Sequence, residues 1–257
     1  TGNKFEFRML GSSNSIACAN MMLNSAVAES LEIYADRLEN AENFEDALHA
    51  MIRKTIKDHK KIIFNGNGYD EQWIEEATKQ RGLLNYRTTP DCMPHLLDPK
   101  NVEMLTAHKV FSKAELESRC EIMLDNYCKT VIIEANTMVE MAKTEIAPAI
   151  EAYCAELAET AAAKKALAAD LPCHYELDLL RTLSACTDAI AVHTAELSDI
   201  VKELDQTEDI VEEANKIRDD VLGKMEQLRA VCDKAETMTA KKYWPFPTYG
   251  DLLFSVK

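Results

Sequence analysis

Along most of this chain, apolar side chains recur at three- and four-residue steps, the period of a helix with one buried face. Met22, Leu23, Val27, Leu31, Tyr34 and Leu38 set such a pattern over about 19–38. Asn43 is placed to cap the next helix, with Phe44, Leu48, Ile52, Ile56 and Ile63 on one face and Lys57, Lys60 and Lys61 near its negative end. Asp70 is placed to cap a short helix carrying Trp73 and Ile74. Residues 84–99 hold Pro90, Pro94 and Pro99, and read as an irregular linker between two differently composed halves.

Beyond the linker the helical period persists much longer. Ser112-Lys113-Ala114-Glu115 is a capping box, in which each of Ser112 and Glu115 accepts from the other's backbone amide. A helix from about 113 to 169 follows. Pro148 should kink it without ending it, because apolar spacing resumes at Ile150, Tyr153 and Leu157. Asp170-Leu171-Pro172 predicts a turn. Leu180, Leu183, Thr187, Ile190, Thr194, Leu197, Val201 and Leu204 then step at heptad spacing. After a break near 205–207, a last stripe contains Ile210, Ala214, Ile217, Val221, Met225, Leu228, Cys232 and Ala235. Three rods on short turns, each with one stripe to bury, predict a long antiparallel three-helix bundle.

The two ends differ from this plan. Residues 4–9, Lys-Phe-Glu-Phe-Arg-Met, alternate apolar and charged, the period of a half-buried strand. A loop, Gly11-Ser12-Ser13-Asn14-Ser15, follows it. At the other end, residues 241–254 hold five aromatics and two prolines, which predicts an extended arm docked either on its own chain or on a neighbour. The fold class is therefore mainly α. An N-terminal strand and helices fill 1–110, the antiparallel bundle 111–240, and the extended aromatic arm 241–257.

Composition sharpens this. Gly and Pro number only seven each in 257 residues, too few turn formers for an all-β sandwich or barrel. The formal charge of −15 disfavours nucleic acid as a main partner, since an acidic surface repels phosphates. Charges such as Glu208, Asp209, Glu212, Glu213, Lys216, Arg218 and Asp219 read as a solvated outer face. No apolar run reaches bilayer length, so no membrane partner and a cytoplasmic location are expected. The eight cysteines include no Cys-x-x-Cys pair and read as small buried hydrophobes in a reducing compartment. The six His residues are scattered, and zinc is not expected.

Chemistry has few footholds. Asn65-Gly66-Asn67-Gly68-Tyr69 is the only Gly-rich stretch. It lacks the Lys-Ser/Thr of a phosphate loop and reads as a helix end and turn. Glu6 and Arg8 share one strand face. They form either a surface ion pair or a working pair, Glu6 offering hard oxygen to a divalent ion and Arg8 a planar fork to an oxyanion.

Phe5-Glu6-Phe7-Arg8, the Gly-Ser-Ser-x-Ser loop and Asn20-Met21-Met22-Leu23-Asn24 resemble the end of a glutamine synthetase catalytic domain. Phe64-Asn65-Gly66-Asn67-Gly68-Tyr69, Asn126-Tyr127-Cys128-Lys129-Thr130, Glu134-Ala135 and the stretch from Lys241 to Asp251 are similar to the C-terminal region of type III glutamine synthetases. The resemblance spans essentially the whole chain. Met21 stands where the family at large often carries Pro.

The resemblance implies a parent enzyme that makes glutamine from glutamate, ammonia and ATP through a γ-glutamyl phosphate. It implies Mg²⁺ or Mn²⁺ with ATP in the full-length enzyme and no cofactor held tightly by this stretch alone. Glu6 matches the family's last metal-binding glutamate, and Arg8 a substrate-contacting arginine. Homo-oligomers of stacked hexameric rings are implied as well. The chain opens without Met, in what reads as a strand, and the expectation is a C-terminal piece, inactive alone, that serves assembly or scaffolding. A non-enzymatic acidic helical adaptor is the alternative.

Overall fold

A computed structural model describes residues 15–204 and 206–254. The strand expected at 4–9, and with it Glu6 and Arg8, lies outside the described residues. Among the described residues the chain is mainly helical and contains no strand. It divides into two compact units, Thr1–Cys120 and Glu121–Lys257.

In the first unit, α1 (Ala17–Glu39) and α2 (Phe44–Asp58) are joined by a short turn. Asn43 caps α2, its side chain accepting from the amides of Glu45 (3.1 Å) and Asp46 (3.3 Å). The helix ends at Asp58, five residues before Ile63, because a 3-10 turn over Lys60–Ile62 follows it. Phe44, Ile52 and Ile56 on its expected apolar face are exposed. Asp70 caps α3 (Glu71–Glu75), accepting from Gln72 N–H at 3.0 Å.

The proline-bearing stretch is more ordered than its composition suggests. Pro90 and Pro94 fall in first turns, of α4 (Thr89–Cys92) and of a 3-10 segment (Met93–Leu97), where a missing N–H costs nothing. Pro99 likewise opens α5 (Pro99–Ala107). The unit's core is Leu105, Phe111 and Leu116, with Met21, Met22, Leu96, Val102, Met104 and Val110 packed around it. The Arg119 guanidinium lies over the Phe111 ring, 4.3 Å from its centroid.

Ser112 and Glu115 close the capping box in both directions, at 2.7 Å from Ser112 N–H to the carboxylate and 3.3 Å from Glu115 N–H to the hydroxyl. From this cap α6 (Lys113–Met141) runs into the second unit. Pro148 is accommodated by a π turn, Ala142–Ile146, in which Ala147 N–H bonds to the Ala142 carbonyl. The extra residue in that turn relieves the helix just ahead of the ring, where a regular ladder would clash. The same rod continues as α7 (Ala147–Leu167).

Next come α8 (His174–Leu204) and α9 (Ile210–Lys216), the latter capped by Asp209 through Val211 and Glu212 N–H. Another π turn, Ile217–Val221, leads into α10 (Leu222–Glu236). At 31 residues, α8 is about 46 Å long. It packs on α7 along one side and α10 along another. Leu183, Ile190, Thr194 and Leu197 of its heptad stripe are buried, as are Ile150, Leu157, Ala214, Val221 and Leu228 on the neighbours. Thr194 is tolerated there because its hydroxyl donates back to the Ile190 carbonyl at 2.8 Å.

Lys164 of α7 pairs with Glu176 of α8, and Lys224 of α10 with Glu196 of α8. Cys128 and Cys232 are buried thiols pushed up to about 11 by desolvation, and all eight cysteines are free.

Candidate functional site

Two groups in the first unit and one in the second carry side chains arranged for more than packing. The first surrounds the Gly-rich stretch. Phe64 stacks on Trp73, rings 3.7 Å apart and 15° from parallel. A Cβ on Gly66 would stand 2.7 Å from the end of the Phe64 ring, so a larger residue there would push that ring from its stack on Trp73. The Asn67 side chain accepts from Tyr69 N–H at 3.1 Å, turning the chain toward the Asp70 cap.

Arg81 then clamps the stretch. Its Nε and Nη2 donate to Glu76 at 2.8 and 2.6 Å, and Nη1 donates to the Lys61 and Ile63 carbonyls at 3.1 and 2.8 Å. Its guanidinium also lies 4.8 Å from the Trp73 centroid. Gly82 follows at φ 63°, the left-handed conformation that lets Leu83 N–H reach the Ala77 carbonyl at 2.9 Å.

Ile56, Lys60, Lys61, Ile63 and Arg81 line a shallow cleft of about 470 Å³. Arg81 is committed to the clamp, so Lys60 and Lys61 supply the cleft's cationic rim. An apolar floor under two ammonium groups suits an acidic group carried on an apolar surface.

The second group joins α1 to the end of α5. Glu29 and Glu32 both reach the His108 ring, with Nε2 at 2.8 Å from one carboxylate and 3.4 Å from the other.

The third holds the base of the aromatic arm. Glu156 of α7 accepts from Tyr243 Oη at 2.8 Å and from the Lys242 ammonium, while the Tyr243 ring lies 5.5 Å from that of Tyr153. The Lys242 and Tyr243 hydrogen bonds hold the Glu156 carboxyl below its ordinary value, and the same contact raises Tyr243 and Lys242. Farther out, Thr248 and Asp251 form a capping box for α11 (Tyr249–Leu253). Thr248 and Lys241 together draw the Asp251 carboxyl down to about 2. Tyr249, Leu252, Leu253 and Phe254 remain exposed.

Because Glu156 is depressed, its contribution to holding the arm is complete above about pH 4.5, its ordinary value, and fades only as pH falls below that. Glu156→Ala should therefore speed trypsin cleavage after Lys241 and Lys242 severalfold at neutral pH. The matched control is Glu151→Ala, on the exposed side of the same helix. Equal cleavage rates in the two variants would show that the arm is held by something else.

The sequence reading flagged Glu6 and Arg8, which lie outside the described residues. It did not flag Arg81, Glu156 or the Glu29–Glu32–His108 set. Arg81 and Glu156 make contacts 18 to 87 residues away along the chain, which no local motif announces.

Among the described residues no helix is long and apolar enough to cross a membrane. The family model for the glutamine synthetase C-terminal domain matches residues 47–165. Over 265 aligned positions the chain is 34% identical to a glutamine synthetase of Butyrivibrio fibrisolvens, the alignment covering all of this chain and 37% of the relative. It is 31% identical to the type-3 glutamine synthetase of Dictyostelium discoideum, over 99% of this chain and 35% of that protein. With a glutamine synthetase of Bacteroides fragilis (strain YCH46) it shares 29% identity, over 99% and 36%. The chain thus spans little more than a third of the length of the curated relatives it matches.

Residues 47–165 of this helical chain thus match the glutamine synthetase C-terminal domain. The chain as a whole is similar to about a third of the length of proteins named glutamine synthetase, one of them of type 3.

Proposed function

We propose that this chain is the C-terminal part of a glutamate–ammonia ligase. In the parent enzyme the γ-carboxylate of glutamate attacks the γ-phosphorus of ATP, giving γ-glutamyl phosphate and ADP. Ammonia then attacks the acyl carbon and phosphate leaves, giving glutamine. The observation that carries this reading is the alignment of the whole chain with proteins named glutamine synthetase.

In this reading 1–110 ends the catalytic domain, 111–240 is an antiparallel three-helix bundle, and 241–257 is an aromatic arm. Glu6 contributes one carboxylate to a Mg²⁺ or Mn²⁺ site, and Arg8 contacts the substrate. Phosphoryl transfer needs several oxygen ligands to neutralise the charge on the phosphates, and one glutamate cannot supply them. The chain alone is therefore inactive and serves assembly. The packing of α8 on α7 and α10, with the Lys164–Glu176 and Lys224–Glu196 pairs, supports the bundle. The parent works in the cytoplasm as a homo-oligomer of stacked hexameric rings.

The direct test compares the full-length parent polypeptide, the parent truncated before residue 1, and the 257-residue chain alone, each supplied with glutamate, ammonia, ATP and Mg²⁺. Glutamine should form only with the full-length polypeptide. Formation by the truncated parent would overturn the claim that this region completes the site, and a full-length polypeptide that makes no glutamine would overturn the activity itself.

A further inference from the structure

His108 ends α5 at a point where two carboxylates of α1 already stand. Glu29 and Glu32 are three apart on one helix, so they project from the same face one turn from each other. One nitrogen, Nε2 of His108, faces both, at 2.8 and 3.4 Å. The three donor atoms lie within 4.8 Å of one another. We propose that Glu29, Glu32 and His108 bind a divalent transition-metal ion through one imidazole nitrogen and two carboxylate oxygens.

The frame is fixed before any ion arrives. Lys109 takes φ 55°, a left-handed conformation unusual outside glycine. This allows Lys109 N–H to bond to the Thr106 carbonyl at 3.0 Å and Val110 N–H to the Leu105 carbonyl at 2.9 Å, closing the helix directly after His108. Leu105 and Phe111 on either side of that turn are buried against Met21 and Met22 of α1. The same core that joins the two helices therefore sets the distance from imidazole to carboxylates. Only 18% of the His108 side chain is exposed, while Glu29 and Glu32 keep 39% and 63%, which leaves the ion an entry path.

The charge balance calls for a dication. Among the described residues neither Glu29 nor Glu32 is ion-paired with a lysine or arginine. The negative end of α5 adds to the field of the two carboxylates. A neutral imidazole can donate Nε2–H to only one carboxylate well, and an imidazolium still leaves one net negative charge. A divalent ion cancels both.

The donor set selects its class. Mg²⁺ and Ca²⁺ prefer all-oxygen cages, whereas imidazole with carboxylates suits Zn²⁺, Co²⁺, Mn²⁺ or Fe²⁺. Donors around such an ion at about 2.1 Å stand about 3.4 Å apart in a tetrahedral site, leaving the fourth position to water. The Nε2–Glu32 separation already has that value.

The test uses the full 257-residue chain, stripped with chelator, with exposed Cys18 and Cys92 changed to serine so that no surface thiol competes. Zn²⁺ is titrated calorimetrically, and Co²⁺ is followed by its visible absorption. Because removing even an outer partner of a metal ligand costs about tenfold or more, both His108→Ala and Glu32→Gln should weaken Zn²⁺ by at least about tenfold and abolish the Co²⁺ band. Glu32→Gln removes a mostly exposed carboxylate and keeps its shape, so it reads the site even if His108→Ala disturbs the α1–α5 contact. Absence of Zn²⁺ binding, or binding that neither variant weakens, would overturn the proposal and leave His108 as an ion-paired helix cap.

Discussion

Replacing Leu183 with alanine should destabilise the second unit by about 2–5 kcal/mol, the usual cost of deleting a buried leucine side chain in a site that cannot collapse. Leu183 is fully buried on α8, the helix that packs on both α7 and α10. A void there has rigid helix on two sides, and neither neighbour can close it without losing contact elsewhere along about 46 Å of α8. Val192 provides the control on the same helix. It is 53% exposed, and Val192→Ala should stay within about 0.5 kcal/mol.

Because the chain has two compact units, one unfolding midpoint would blend two transitions. The proper readouts are hydrogen exchange at α8 amides and the urea midpoint of the transition that carries them. Leu183→Ala should raise α8 exchange by more than tenfold, the equivalent of 1.4 kcal/mol, and Val192→Ala should not. Equal effects would mean that α8 is not the shared wall between its neighbours.

The helices of the second unit were legible because burial and period coincide, whereas in the first unit Val27, Leu31, Phe44, Ile52 and Ile56 keep the helical period and yet are exposed. The α8 stripe from Leu180 to Leu204 has no exposed member, and the last stripe has Ala214, Ile217, Val221 and Leu228 buried at its expected steps. Caps were legible for the same local reason. Asn43, Asp70 and Ser112 each bond amides within three residues of themselves. What failed depends on context. Ile63 continued the apolar period of α2, yet the helix stops at Asp58 in a 3-10 turn. Proline was read as a breaker at 90, 94 and 99, whereas first-turn positions turn it into a helix starter. At Pro148 the expected kink takes the form of a π turn, because widening the preceding turn by one residue removes the clash.

The candidate sites were less legible than the helices. Glu29 and His108 are 79 residues apart and Glu156 and Tyr243 87, and only packing brings such pairs together. The Gly-rich stretch was read correctly as a turn, but Arg81, which holds it, carried no signal of its own. The resemblance to glutamine synthetases was legible from short, local runs such as Phe64–Tyr69 and Lys241–Asp251, and over the whole chain the identity to the relatives is 29–34%.

Glu6→Gln in the full-length parent should lower Mg²⁺-dependent glutamine formation by more than about 100-fold, since even outer partners of a metal ligand cost 10–100-fold when lost. The substitution keeps shape and volume but replaces a charged oxygen pair with a neutral amide. A hard dication binds that amide weakly and would sit with one less negative charge around it. Charge stabilisation around the transferring phosphoryl group is the main source of rate in this chemistry, so the loss falls on kcat as well as on metal affinity. Excess Mg²⁺ should recover only the affinity part. Assembly of the parent should stay intact, because Gln keeps the shape and volume of Glu, and light scattering on the parent would show it. Two results separate the roles of this residue. Lost activity with intact assembly marks Glu6 as a metal ligand. Unchanged activity assigns Glu6 and Arg8 to a surface ion pair and leaves the glutamine synthetase reading to stand on the whole-chain alignment alone.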